Sequence, residues 1–234
     1  LVKEGDMRSL RVQEIPTARG MISDRMGRPL AVSVPVNAVW ADPKELADKG
    51  GVGDDTRWRA LSEALNIPLD QVKSKVTANP KGRFVYLARQ VNPTIGDYVK
   101  KLNLPGIYLQ AESKRYYPSG SVTAHIIGVT NIDDEGIEGV EKSFDRWLTG
   151  VPGQRTVRKD RGGRVIEDTI ARESQAGHNL TLSIDERLQA LVYREISSAV
   201  ALNKAESGTA ILVDVNTGEI LAMANSPSYN PNNL

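Results

Sequence analysis

The chain contains no cysteine and only two histidines, His125 and His178. The missing cysteine removes disulfides, thiol catalysis and thiolate metal sites together, and it fits either redox compartment. The isolated histidines leave no HExxH or comparable zinc spacing. His125 lies in an apolar helical stretch and reads as a structural histidine; His178 lies in a polar linker and reads as solvated. Aromatic residues make up 5% of the chain, and 30 basic residues face 29 acidic ones. Neither a base-stacking platform nor a field that recruits nucleic acid is expected from that composition. There is no apolar run of the about 20 residues that a membrane helix needs, and no signal peptide, so the chain as given reads as soluble. It starts at Leu1-Val-Lys and stops at Leu234 within a Pro/Asn-rich run, which reads as a segment trimmed at both ends.

Catalytic motifs are missing too. There is no P-loop and no GxGxxG. A serine nucleophile can be activated by a lysine three residues later, one helical turn away, but no serine here is followed by lysine at that spacing. Lys-Thr-Gly is also absent. Ser228-Tyr-Asn230 matches Ser-x-Asn formally, within a Pro/Asn-rich coil, and Asp133-Asp134-Glu135 reads as a solvated turn. The expectation is therefore no catalytic, cofactor-binding or metal-binding residue in this chain.

What is present has an α+β texture. Residues 1–18 show no clear period and could be a linker, an edge strand or a pairing arm. Residues 21–24 and 29–36 flank Arg25-Met-Gly27 as a hairpin whose second strand continues through Val39 and Trp40. Asp42-Pro43 predicts a capped helix start, ended by the glycines at 50–53. Helices follow over 56–65 and 68–77, then a strand at 84–87 and a helix from Asn92-Pro93 to Lys101. A strand over 107–116 runs into a turn at 117–120, and a short helix covers 122–127. Another helix covers 140–148, with Val140, Phe144, Trp147 and Leu148 expected on its buried side. Residues 153–170 alternate charged and β-branched residues, as exposed strands do. After a polar stretch at 171–177 come a short strand and a strong helix. There Ser183 and Glu186 match a capping box, and Leu188, Leu191, Val192, Ile196 and Ala199 form an apolar stripe. The last element is a hairpin: apolar runs at 207–213 and 219–224 around the turn 214–218. An isolated hairpin is marginal in water, so the preceding helix is expected to cover it.

Several segments, in order, resemble the class B penicillin-binding proteins, the bacterial peptidoglycan transpeptidases. Residues 18–31, Ala-Arg-Gly-Met-Ile-Ser-Asp-Arg-Met-Gly-Arg-Pro-Leu-Ala, are similar to the family's first motif. Arg115-Tyr-Tyr-Pro-Ser-Gly120 with Ala124, His125 and Gly128 resembles the second, and Gly136-Ile-Glu-Gly-Val-Glu141 with Leu148 and Gly150 the third. Residues 180–189 and 213–223 look like the start of the transpeptidase domain. The wording is similar to septal, division-associated members from Gram-negative bacteria. The resemblance implies an elongated, non-catalytic periplasmic pedestal over residues 1–176 and the first strand–helix–hairpin of a transpeptidase domain over 177–234. It also implies a parent protein anchored in the inner membrane by one upstream helix. Such a parent acts on peptidoglycan stem peptides, binds β-lactams, and meets a septal glycan polymerase and other divisome membrane proteins. The catalytic Ser-x-x-Lys, Ser-x-Asn and Lys-Thr/Ser-Gly of that family have no credible counterpart here. The final hairpin should lack its neighbouring strands and be poorly ordered or paired with another molecule.

The motif residues allow a physical expectation. Gly20, Gly27, Gly120, Gly136 and Gly139 suit tight turns or close backbone approaches, and Asp24, Tyr117, Pro118 and Gly128 complete the motif set. Arg19, Arg25, Arg115, Glu138 and Glu141 are expected to form a partly buried ion-pair network joining distant segments; the bland alternative is a set of unrelated surface charges. Two partner surfaces are candidates. One is the arm Gly5 to Ile15, with Gly5, Ser9 and Leu10, which could add a strand or helix to a partner. The other is the cluster Arg155, Arg158, Lys159, Arg161 and Arg164, whose bland reading is a solvated strand face. A free-standing periplasmic binding protein and a small α/β enzyme with an unrecognised site remain the readings from other classes.

Overall fold

Aspartate, asparagine and proline punctuate the helix starts between residues 34 and 114. In the computed structural model, which describes residues 10–159 and 165–234, helix α1 is Pro43–Asp48, α2 Thr56–Leu65, α3 Leu69–Thr77 and α4 Pro93–Lys101. Asp42 Oδ1 accepts from Glu45 N at 3.1 Å, Asp55 Oδ1 from Trp58 N at 3.1 Å, and Asn92 Oδ1 from Thr94 N at 2.8 Å. Each carboxylate or amide oxygen satisfies an N–H that the first helical turn leaves without a partner. The strands are β1 (Leu10–Ile15), β2 (Ile22–Ser23), β3 (Pro29–Ala41), β4 (Val85–Val91) and β5 (Ile107–Tyr116), then β6 (Gly153–Lys159), β7 (Val165–Arg172), β8 (Leu180–Thr181), β9 (Gly208–Val213) and β10 (Ile220–Ser226). The remaining helices are α5 (Ala124–Ile127), α6 (Gly139–Ser143), α7 (Asp145–Leu148) and α8 (Glu186–Leu202). The α+β class expected from the sequence is what the chain adopts.

The chain divides into two compact units. One takes the chain up to Ser33 and again from Arg115 onward; the other is Val34–Lys114. In the second unit β3 pairs antiparallel with β4, Trp40 opposite Tyr86, and β5 pairs with β3. Val39, Ala41, Leu87 and Val91 from the strands share one core with Trp58 and Leu61 of α2, Val72 and Val76 of α3, and Val99 of α4. The rings of Phe84, Trp40 and Tyr108 stack in sequence with centroids 4.8 Å apart at each step.

In the first unit β2 pairs antiparallel with the start of β3 and parallel with β8. The core there gathers Ile22, Leu30, Ala31, Tyr117, Ile127, Val129 and Leu148. A second sheet has the order β1–β6–β7, so residues 10–15 are a strand paired along β6, with Leu10 opposite Arg158. Helix α8 packs on the β9–β10 hairpin, where Ala222 and Ala224 are buried; Ile211 and Val213 of β9 stay exposed. Among the described residues no third strand joins that hairpin.

Several local expectations need correction. The α8 cap is Asp185, whose side chain accepts from Arg187 N and Leu188 N, while Ser183 Oγ donates to Ile220 O at 2.7 Å. A second helix-preferring oxygen two residues closer to the helix displaces the capping box. The helix expected over 140–148 is two short helices, α6 and α7, and Phe144 and Trp147 are 45% and 48% exposed rather than buried. Trp147 instead stacks on His178 at 4.2 Å. On α8, Leu191 and Ala199 of the expected stripe are exposed, and the buried position is Gln189.

Candidate functional site

Glu141 organises the first unit. It lies on α6, is fully buried, and its two carboxylate oxygens take four side-chain donors. Oε1 accepts from Arg19 Nε at 3.0 Å and Arg115 Nη2 at 3.1 Å; Oε2 accepts from Arg115 Nε and the Tyr117 hydroxyl, both at 2.9 Å. Charge-assisted bonds of this kind are the strong ones, and the fork of the Arg115 guanidinium engages both carboxylate oxygens. Arg19 also donates to Asp145 Oδ1 at 2.6 Å, Thr149 Oγ1 at 3.2 Å and the carbonyls of Glu141 and Asp134. Arg115 reaches Ser33 Oγ at 3.1 Å and the Gly20 carbonyl. Residues from all three motifs therefore meet in one buried cluster.

The expected network was partly right in membership. Arg19, Arg115 and Glu141 belong to it; Arg25 and Glu138 do not. Arg25 faces Glu219 at 3.8 Å with both side chains partly exposed. Glu138 is exposed, and it contributes its backbone: a Cβ on Gly128 would stand 2.0 Å from the Glu138 carbonyl oxygen, so only glycine fits there. Gly136 and Gly20 are forced likewise, since their Cβ atoms would lie 1.9 Å from Glu141 O and 1.8 Å from His178 O. Of the remaining motif glycines, Gly27, Gly120 and Gly139 adopt positive φ. Pro118 lies in the turn after β5.

Asp145 was missed, although it follows Glu141 by four residues, one helical turn. Its carboxylate accepts from Gly136 N at 3.0 Å as well as from Arg19. Burial disfavours its charge, but those donors hold it below the usual carboxyl range. Arg19 is likewise held above its usual range by Asp145 and Glu141 against the opposing effect of burial. Two guanidiniums and two carboxylates leave this core neutral. Asp134 is the third carboxylate. It sits at φ 64° in the turn, and its Oδ1 is buried without a hydrogen-bond partner. Burial, reinforced by Glu141 and Asp145 and opposed by the two arginines, pushes its pKa up to about 6. The run 133–135 is thus a turn, but its central aspartate is not simply solvated.

Asp24 has a separate task. It is fully buried, Oδ1 accepts from Met26 N and Arg28 N, and Oδ2 accepts from Glu186 N at 2.9 Å, in the first turn of α8. Burial works against its charge, and these backbone N–H groups nevertheless lower its pKa. Gln189 continues the tie: its amide donates to Val122 O and Met223 O and accepts from Met223 N. Nothing in the spacing of a single glutamine on an apolar stripe announces that role.

The two candidate partner surfaces fall on one sheet, β1–β6–β7. Arg155 pairs with Asp168 at 3.2 Å and Arg158 approaches Glu167 at 3.9 Å, so β7 carboxylates answer these β6 cations. Gly5, Ser9, Arg161 and Arg164 lie outside the described residues, and of Lys159 only the backbone pairing with Val165 is described. Among the described residues no group of three His, Asp or Glu side chains is placed to hold a metal ion, and no helix is long and apolar enough to cross a membrane. His125 is exposed, edge-on to Tyr229 at 5.4 Å.

Comparison with known proteins places this arrangement. Residues 14–182 match the Penicillin-binding Protein dimerisation domain, and residues 208–234 match the Penicillin binding protein transpeptidase domain. Over all 234 residues the chain is 74% identical to Peptidoglycan D,D-transpeptidase FtsI of Escherichia coli and 43% identical to Probable peptidoglycan D,D-transpeptidase PbpC of Pseudomonas aeruginosa. It covers all of this chain and only 40% of each of those proteins. A solved structure, Penicillin Binding Protein 2X from Streptococcus thermophilus, shares the fold with a TM-score of 0.65 at 22% identity, over 96% of this chain and 36% of that one. The motifs that converge on Glu141 are thus carried by a dimerisation domain of known type, and the chain belongs to the penicillin-binding protein family.

Proposed function

We propose that this chain is the non-catalytic periplasmic module of a cell-division peptidoglycan D,D-transpeptidase. On this reading residues 1–176 are the pedestal and residues 177–234 open the transpeptidase domain. The whole protein crosslinks peptidoglycan stem peptides, is acylated by β-lactams, and is anchored in the inner membrane by an upstream helix. The observation that carries the proposal is 74% identity over all 234 residues to a protein named for that activity. The site's chemistry supports a scaffold role: all four lone-pair directions of Glu141 are taken by protein donors, so the cluster offers substrate no free acceptor there. Its work is to lock chain segments more than 120 residues apart.

The pedestal also serves as a docking surface for the septal glycan polymerase and other divisome membrane proteins. The sheet β1–β6–β7 is the candidate face, since Arg155 and Arg158 of β6 stand partly exposed beside Asp168 and Glu167 of β7. A fluorescent penicillin tests the central claim. This chain alone should not label, and a version extended to the length of its relatives should label at a single serine. An extended, folded protein that never labels would sink it. For the docking claim, reversing the charge at Arg158 and Arg161 should weaken complex formation with the division proteins; unchanged complexes would remove that face.

A further inference from the structure

The stretch after β10 reads in the sequence as Pro/Asn-rich coil, yet the structure ties it down repeatedly. Ser228 Oγ donates to Ser121 O at 2.7 Å, and the Tyr229 hydroxyl to Ala124 O at 3.2 Å. Asn232 makes the most specific contact. Its Oδ1 accepts from Tyr117 N at 2.9 Å, and its Nδ2 donates to Tyr117 O at 2.9 Å. One carboxamide thereby pairs with both backbone polar groups of one residue, as a neighbouring strand would. Two such bonds fix position and orientation, where a single bond would leave a pivot. Asn230 Oδ1 accepts from Asn232 N at 3.0 Å, a local turn that presents the amide.

Tyr117 is no neutral anchor. It is 3% exposed, its hydroxyl donates to Glu141 Oε2 at 2.9 Å, and the Tyr117 hydroxyl oxygen accepts from Thr130 N at 3.2 Å. Glu141, Tyr117 and Asn232 therefore form a continuous run of hydrogen bonds from the charge cluster to residue 232. Only a side chain that both donates and accepts can complete it. Aspartate has the same shape as asparagine, but when ionised it has no donor and sets an oxygen against the Tyr117 carbonyl.

We infer that Asn232 is a positioning residue for the transpeptidase reaction. Through Tyr117, it makes the geometry of the Glu141 cluster set the path of the chain within the transpeptidase domain. This rests on the transpeptidase reading above. The coupling is carried by directional bonds to groups of fixed position, so its loss misplaces the reacting parts without unfolding the protein.

The test uses the protein extended to the length of its relatives. The rate of acylation by a fluorescent penicillin and the melting temperature are measured together from pH 5 to pH 8. Asn232→Ala is expected to slow acylation by about tenfold with the melting temperature nearly unchanged. Asn232→Asp should be as slow at pH 8 and stay slow down to about pH 5, because a carboxyl of ordinary pKa, roughly 4, is ionised over that range and cannot donate to Tyr117 O. Tyr117→Phe should slow acylation by less, and its effect should not add to that of Asn232→Ala. Parent-like rates in both Asn232 variants across the pH range would overturn the inference, as would losses that track the melting temperature. A parent protein that fails to label at all sinks the transpeptidase reading, and this inference with it.

Discussion

Arginine–carboxylate pairs occur in two regions of this molecule, and they differ in almost everything except composition. Around Glu141, the side chains of Arg19, Arg115 and Glu141 are 0–1% exposed and joined by bonds of 2.9–3.1 Å. On β6 and β7, Arg155–Asp168 and Arg158–Glu167 lie at 3.2 and 3.9 Å, with side chains 34–60% exposed. Burial shuts solvent out of the first region, so a lost partner is not readily replaced; the second is solvated whether or not the pair forms. Charge in the first therefore specifies which segments meet, and charge in the second adds little to the stability of the fold.

The sharpest way to break that contrast is to remove its centre. Glu141→Ala leaves two buried guanidiniums and a tyrosine hydroxyl without their acceptor. A cost of about 3–5 kcal/mol is expected, read as a large fall in melting temperature. Arg115→Ala should approach that value, whereas Glu138→Ala, in the same motif but exposed, should change stability by less than about 0.5 kcal/mol. Equal effects at 138 and 141 would dissolve the contrast. Asp24→Ala comes next, at about 2–3 kcal/mol, since it deprives two turn N–H groups and the start of α8 of one acceptor. Its signature should be faster amide exchange at Met26, Arg28 and Glu186.

These two cases also mark what a sequence reveals. Helix starts at Asp42-Pro43 and Asn92-Pro93, the strand 107–116 and the hairpin of β2 with β3 were legible, because each is decided by its own few residues. The convergence of Arg19, Arg115 and Glu141 was legible only through the charged positions of three motifs. Arg25 and Glu138 look the same in one dimension, and whether a side chain points inward depends on segments over 100 residues away. Asp145 was within reach through its i+4 spacing from Glu141. Asp24 bonding to Glu186 N was not, since nothing in either local segment encodes a cap supplied from 162 residues away.

A smaller effect separates the cluster's neutral core from its extra carboxylate. Asp134 has its pKa raised to about 6 in the folded chain, above the roughly 4 of an unfolded aspartate. The folded state thus binds this proton more tightly. The stabilisation is complete below about pH 4 and is lost as the pH rises through about 6. Asp134→Asn removes that loss, and asparagine tolerates the left-handed backbone. The variant should therefore gain on the parent between pH 4 and 7, by about 1 kcal/mol after allowance for partial exposure. A difference that stays flat in melting curves across this range would show the carboxylate to be already compensated.

The smallest effect is expected on the β6–β7 ladder. Asp168→Ala should cost at most about 0–1 kcal/mol, because Arg155 keeps its water and its strand geometry when the partner goes. Whatever it costs should fade as salt rises from about 0.05 to 0.5 M, since exposed charges are screened within about 10 Å or less. The Glu141→Ala deficit should survive the same titration, shielded from counterions by burial. Melting temperatures of both variants across one salt series thus test the contrast with a single variable. If the ladder variant proved as costly and as salt-insensitive as the Glu141 variant, exposure would have lost its power to rank these pairs.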